Sequence, residues 1–117
     1  MLDVSKVHPF EACAAFAVRF LERLAEGDIK GAEAMIDGID SGGSFSESFP
    51  PPEGFTYAHP DKMPSWTMMI LGADKRGFRL DFELRFAEKK YREMSARFEM
   101  RRVKDKLKVI LEGVVPT

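Results

Sequence analysis

The sequence predicts an α+β domain in which N-terminal helices pack on a strongly curved four-stranded antiparallel meander. Three observations predict it. Apolar residues recur at helical spacing from Phe10 to Leu24, the period then switches to two in the C-terminal half, and a stretch rich in proline and aromatic residues separates the two patterns. At 117 residues the chain is read as one domain, 1–117, able to bury a single core. With 44% hydrophobic and 32% charged residues, ten of them Phe, it reads as globular.

The first element runs from Phe10 through Cys13, Ala14, Ala17, Leu21 and Leu24, the i, i+3, i+4, i+7 spacing of one helix face. Phe16, Val18 and Phe20 widen that face, so the helix is expected to be covered on most of its circumference. Pro9 suits its first turn, where a missing N–H costs nothing, and Gly27 suits the left-handed position past its end. Asp28 then caps a shorter helix reaching Asp37, with Ile29, Ala32 and Ile36 on one side.

Residues 44–66, SFSESFPPPEGFTYAHPDKMPSW, hold five of the seven prolines. Ser44 and Glu47 have the S-x-x-E spacing of a capping box, and three consecutive prolines forbid a helix beyond Phe49. Phe45, Phe49, Phe55, Tyr57 and Trp66 are expected to anchor this segment to the core as a wrapper. A long ordered loop of this composition is also where binding residues concentrate, because aromatic side chains bury much area for little lost rotamer freedom.

Beyond it the period is two. SWTMMILG at 65–72 reads as the first strand. In GFRLDFELRFA, Phe78, Leu80, Phe82, Leu84 and Phe86 alternate with Arg79, Asp81, Glu83 and Arg85, giving a dry face and a wet one. EKK at 88–90 turns the chain. Met94, Ala96, Phe98 and Met100 then point inward against Glu93, Ser95, Arg97, Glu99 and Arg101, and after a turn at 104–106 Leu107, Val109 and Leu111 form the last inward row. Opposite charges on the wet face are expected to pair across strands, each pair stabilising by roughly 0.2–1 kcal/mol.

The run RFLERLAEGDIKGAEAMID, followed by a Trp-bearing strand and a long-stranded meander, resembles the cystatin-like cone of the nuclear-transport-factor-2-like superfamily. The resemblance spans nearly the whole chain and is architectural, with Gly27–Asp28 between the helices as its local marker. It implies a sheet curled around the first helix. The superfamily holds isomerases and dehydratases, small-ligand binders, dimerisation domains and toxin-neutralising immunity proteins, so the fold alone leaves the function open. Its enzymes carry acids, His or Tyr on inward positions. Here the twelve inward positions are Phe, Leu, Met, Val and Ala, and none offers the carboxylate or imidazole a general base needs.

The remaining candidates for chemistry are Tyr57, His59 and Asp61, which alternate in YAHPD and on an extended segment share a side. They are the catalytic alternative, an isomerase or dehydratase at the mouth of the cone. The preferred expectation is a non-catalytic protein-binding module, a toxin-neutralising immunity protein or a dimerisation domain, using Phe55, Tyr57, His59 and Trp66 on the loop or Arg97 and Arg101 on the sheet. Its partner is a protein or a second copy of the chain.

His8, Cys13 and His59 lack metal-ligand spacing, and no cofactor is implied. The single Cys13 gives no sign of an oxidising compartment. The start is no convincing export signal and no segment is long enough to span a membrane, so the cytoplasm is expected. Charge is segregated: residues 1–74 carry five basic and twelve acidic side chains, and residues 75–108 thirteen basic and six acidic. This reads as two halves facing one another, as solvated alternate strand positions, or as a basic sheet surface for an acidic partner such as a protein or a phosphate backbone. Nucleic acid is disfavoured, because no aromatic residues interleave with the basic ones on that face.

Overall fold

The computed structural model of the chain describes residues 1–40, 44, 45, 49, 54–62, 67–88 and 94–116. Two helices, α1 (Pro9–Ala25) and α2 (Ile29–Glu33), precede most of a curled antiparallel sheet. The long strands are β3 (Met68–Leu71), β4 (Gly77–Leu84), β5 (Met94–Val103) and β6 (Lys106–Pro116). Two further strands of two residues each, β1 (Leu2–Asp3) and β2 (Gly38–Ile39), pair with β6, antiparallel and parallel respectively. Among the described residues the sheet therefore has six strands rather than four, in the order β1-β6-β5-β4-β3 with β2 beside β1 on the free edge of β6. The extra strands occupy backbone groups that an open edge would present to other chains. Asp37 continues this edge: its N–H donates to the Val109 carbonyl at 2.7 Å, and its carboxylate accepts from the Val109 N–H at 2.7 Å.

Helix α1 starts where Pro9 occupies the first turn and His8 caps it, the His8 Nδ1 accepting from the Phe10 N–H at 3.1 Å. It ends at Gly27, whose φ of 75° suits a residue without a side chain. Cys13, Phe16, Ala17, Phe20, Leu21 and Leu24 are buried, a single arc of the helix rather than most of its circumference. Phe10 lies on that arc but in the first turn, before its first covered residue, and is 51% exposed. The second helix is capped by Asp28, whose Oδ1 accepts from the Gly31 N–H at 2.9 Å, and closes at Glu33 rather than reaching Asp37. Asp37 is drawn instead to the edge of β6.

Eleven of the twelve inward positions, Phe78 through Leu111, are buried, and Met94 packs against the same core while half-buried. Aromatic rings fill the space between sheet and helix. Phe20 lies 5.5 Å from Phe98 and 5.8 Å from Phe82 between ring centroids, and Phe16 lies 5.4 Å from Phe98. Phe45 and Phe49 close the cluster from the proline-rich stretch, at 6.0 and 5.3 Å from Phe20. Glu47, Pro50–Pro52, Trp66 and the 89–93 stretch lie outside the described residues.

The curl has a local cause. The β5–β6 register passes from Arg97 opposite Gly113 to Phe98 opposite Leu111, leaving Glu112 as an extra residue. Gly113, at φ 156°, completes this bulge, and bulges bend and twist the strand that carries them. Strict alternation would send Gly113 and Val115 inward after Leu111. The bulge moves that role to Val114, which pairs with Ala96 and packs on the core. Among the described residues, no helix is long and apolar enough to cross a membrane.

Candidate functional site

Two regions hold the residues that the sequence singles out, and the structure treats them differently. The first is the segment around Tyr57. It runs antiparallel to the chain just after β4: Ala58 N–H donates to the Arg85 carbonyl at 2.8 Å and Ala87 N–H to the Thr56 carbonyl at 2.7 Å. Thr56 donates both its N–H and its hydroxyl to the Glu88 carboxylate, at 2.8 and 2.9 Å, which holds that carboxyl below its ordinary pKa. Tyr57 is consequently inside. Its ring stacks on Phe86 at 5.3 Å, its hydroxyl donates to the Phe49 carbonyl, and burial pushes its pKa up to about 12. Phe55 also packs on Phe86, at 5.6 Å.

His59 and Asp61 go the other way. Their side chains are 35% and 88% exposed, with His59 Nδ1 accepting from the Asp61 N–H at 3.2 Å and 3.5 Å from the Asp61 carboxylate. The structure thus brings His59 and Asp61 together at the surface and places the Tyr57 hydroxyl in the core, on a backbone carbonyl. A tyrosine so engaged has its proton committed and its pKa moved away from neutral, the opposite of what a proton donor to substrate needs.

Cys13 and His8 are equally committed. The Cys13 thiol is fully buried, which raises its pKa to about 11, and His8 serves as the helix cap. Among the described residues, no three His, Cys, Asp or Glu side chains gather as a metal site.

The second region is the outer face of the sheet. Asp81 of β4 faces Arg97 of β5 directly, and its carboxylate receives Arg97 Nε and Nη2, each at 3.2 Å. This is a fork geometry in which both guanidinium N–H groups bind one carboxylate, and it raises the Arg97 pKa above its ordinary value. Arg79 approaches the same carboxylate from the other side, with Nε 3.7 Å from Asp81 Oδ1. That Nε is buried and makes no hydrogen bond.

Further along β4, Glu83 binds Arg85 Nη2 at 3.2 Å and accepts the Thr67 N–H at 2.7 Å. The expected wet face is not wet here: Glu83 is 2% exposed and Ser95 opposite it 7%. Both stand on a groove of about 180 Å³ that Thr67, Met69, Asp81 and Arg97 also line. Toward the far end of β5, Arg101 binds Glu99 at 3.0 Å and stays half exposed.

Arg97 and Arg101 were legible from the sequence as outward cations. Asp81 as the carboxylate between two arginines, and Glu83 as a buried acid, were not. The only signal for them is the mixed-sign alternation R-L-D-F-E-L-R, which fixes a shared face without fixing depth. No family model, curated protein or solved structure matches this chain.

Proposed function

We propose that this chain is a non-catalytic protein-binding module that meets its partner with the outer face of the sheet around Asp81, Arg97 and Arg101. A toxin-neutralising immunity protein and a dimerisation domain are the two forms such a module takes within the superfamily that the sequence resembles. The observation that carries the reading is the contrast between the two sheet faces. The inward face is apolar at all twelve positions and filled by rings at contact distance. The outward face holds partly exposed arginines paired with carboxylates, Arg97 in a fork with Asp81 beside a shallow groove and Arg101 on Glu99. Arginine with defined geometry is a favoured anchor in protein interfaces, where a fork can exchange its partner for a carboxylate across the interface.

The test is affinity capture from cells that express the tagged chain, with R97E/R101E as the paired bait and light scattering to follow self-association. The expected outcome is a partner, or a dimer, that the wild type holds and the double variant loses while its circular dichroism stays unchanged. Equal retention by both baits would refute a role for this face.

A further inference from the structure

We infer that the hairpin end of the sheet is a recognition surface for an acidic protein segment. The inference rests on the protein-binding reading and names both the part of the sheet and the chemistry of the partner.

Charge segregation along the sequence becomes segregation in space. The β3–β4 turn and the β5–β6 turn lie at one end of the sheet and are tied together: Arg102 N–H donates to the Arg76 carbonyl at 2.7 Å, and Arg102 Nε to the Asp74 carbonyl at 3.4 Å. Lys75, Arg76, Arg101, Arg102, Lys104 and Lys106 are all exposed there. Most of the acids there are engaged within the chain: Asp3, opposite Lys106, accepts from the Ser5 N–H and hydroxyl at 2.9 and 2.6 Å. Asp74 accepts from the N–H groups of Arg76 and Gly77, at 2.7 and 3.1 Å, and so shapes its turn. Glu99 holds Arg101.

Two features at this end oppose stability in the isolated chain. Arg101, although paired with Glu99, stands directly opposite Lys108 on the neighbouring strand, a cross-strand placement of like charges that disfavours a sheet. Arg79 keeps a buried Nε without a hydrogen bond. Arg76 and Arg79 line a groove of about 240 Å³ with Phe78 and Glu99. A carboxylate entering from a partner would relieve the like-charge pair and find guanidinium groups suited to bidentate binding.

The same positive end could attract a phosphate backbone, but the observations favour protein. The two turns, 72–76 and 104–105, carry no aromatic side chain to stack a base, and the neighbouring Phe78 is only 6% exposed. The exposed Asp105 and the partly paired Glu99 interrupt the positive surface, and a mixed pattern suits a partner that itself carries both signs.

Fluorescence anisotropy with a labelled Glu- and Asp-rich peptide tests the proposal against two probes of equal length, a Lys-rich peptide and an oligothymidylate. Binding of the acidic peptide should weaken several-fold between about 25 and 250 mM NaCl. It should weaken about tenfold or more in R76Q/K104Q/K106Q, whose exposed side chains can change without loss of fold. Acidic-peptide binding no stronger than that of the Lys-rich control overturns the proposal, as does tighter binding of the oligothymidylate. Capture of the cellular partner separates this inference from the reading beneath it. If R97E/R101E loses the partner and R76Q/K104Q/K106Q keeps it, protein binding stands and the hairpin end is wrong; if both keep it, the sheet-face reading itself falls.

Discussion

Phe20→Ala removes the ring on which the interior depends, and its cost measures whether the space between helix and sheet is packed or hollow. Phe20 is 0% exposed, and five rings surround it at centroid distances of 5.7, 6.0, 5.3, 5.8 and 5.5 Å, those of Phe16, Phe45, Phe49, Phe82 and Phe98. Truncating a fully enclosed Phe costs about 3–5 kcal/mol, the lost transfer energy plus the cavity left behind. A typical domain has only about 5–15 kcal/mol in total. Phe20→Leu, which keeps most of the volume, should cost about 1 kcal/mol. If Phe20 instead lined an open ligand cavity, its ring would already lack neighbours on one side, and Phe20→Ala would cost closer to about 1 kcal/mol as well. Urea unfolding followed by far-UV circular dichroism separates the cases, provided the slope with denaturant stays constant. Benzene should recover part of the loss in Phe20→Ala and leave the wild type unchanged. A small loss, or a wild type that benzene stabilises, would refute the packed interior and with it the argument that function lies on the surface.

Gly77→Ala should cost about 3 kcal/mol or more in urea melts, because its Cβ would sit 1.9 Å from the Met100 carbonyl oxygen at φ 144°, whereas Gly38→Ala meets open space and should be near neutral. A double-mutant cycle between Asp81 and Arg97 should give a coupling of about 0.5–1 kcal/mol that shrinks with salt; Asp81→Asn should cost more than Arg97→Gln, because it leaves Arg79 and Arg97 facing each other without their shared carboxylate. Alkaline titration should unfold the chain cooperatively. Burial raises the Cys13 thiol from 9.0 to about 11 and the Tyr57 hydroxyl from 10.0 to about 12. Both groups ionise first in the unfolded chain, so the stability they confer is complete below pH 9 and is lost as pH climbs through 11 and 12. Tyr57→Phe should remove the later part of that loss, read by circular dichroism against pH.

How far the sequence carried the fold depended on how local each signal was. The span of α1 and the parity of the long strands were legible, because periods of 3.6 and 2 repeat often enough in residues 10–24 and 78–111 to fix which side faces the core. The two short strands were not. Leu2–Asp3 and Gly38–Ile39 have no room for a period, and each is defined by backbone bonds to a strand about 70 to 105 residues away. The bulge at Glu112 was marked only by Gly113, a residue that in a strand signals either weakness or a bend. The His8 cap was missed because histidine is an uncommon choice there, and its imidazole replaces the usual oxygen acceptor. The YAHPD alternation does not place its three side chains on one side, for a physical reason. Alternation puts side chains on one side only while the chain stays extended, and residues 60–62 turn into a 3₁₀ helix immediately after Tyr57 has been drawn into the core.

The sheet gives a reason to look for function on its outer face. A face selected for stability alone would alternate signs across strands and leave no polar group buried without need. The inner face is apolar at all twelve predicted positions, with aromatic pairs in favourable edge-on or stacked contact, and its one cation among the described residues of β4 and β5, Arg102, lies over the Phe78 ring at the hairpin end. The departures collect on the other side: an Arg79 Nε without a hydrogen bond, Arg101 opposite Lys108, and Met69 at 47% exposure on the edge strand. The unbonded Nε and the like-charge pair oppose the stability of the isolated chain, and natural sequences keep such conflicts where a partner resolves them. An adventitious scatter of conflicts would have touched both faces. Their confinement to one face, and of the like-charge conflict to the hairpin end, is what a surface completed by a carboxylate-bearing protein would leave in the uncomplexed molecule.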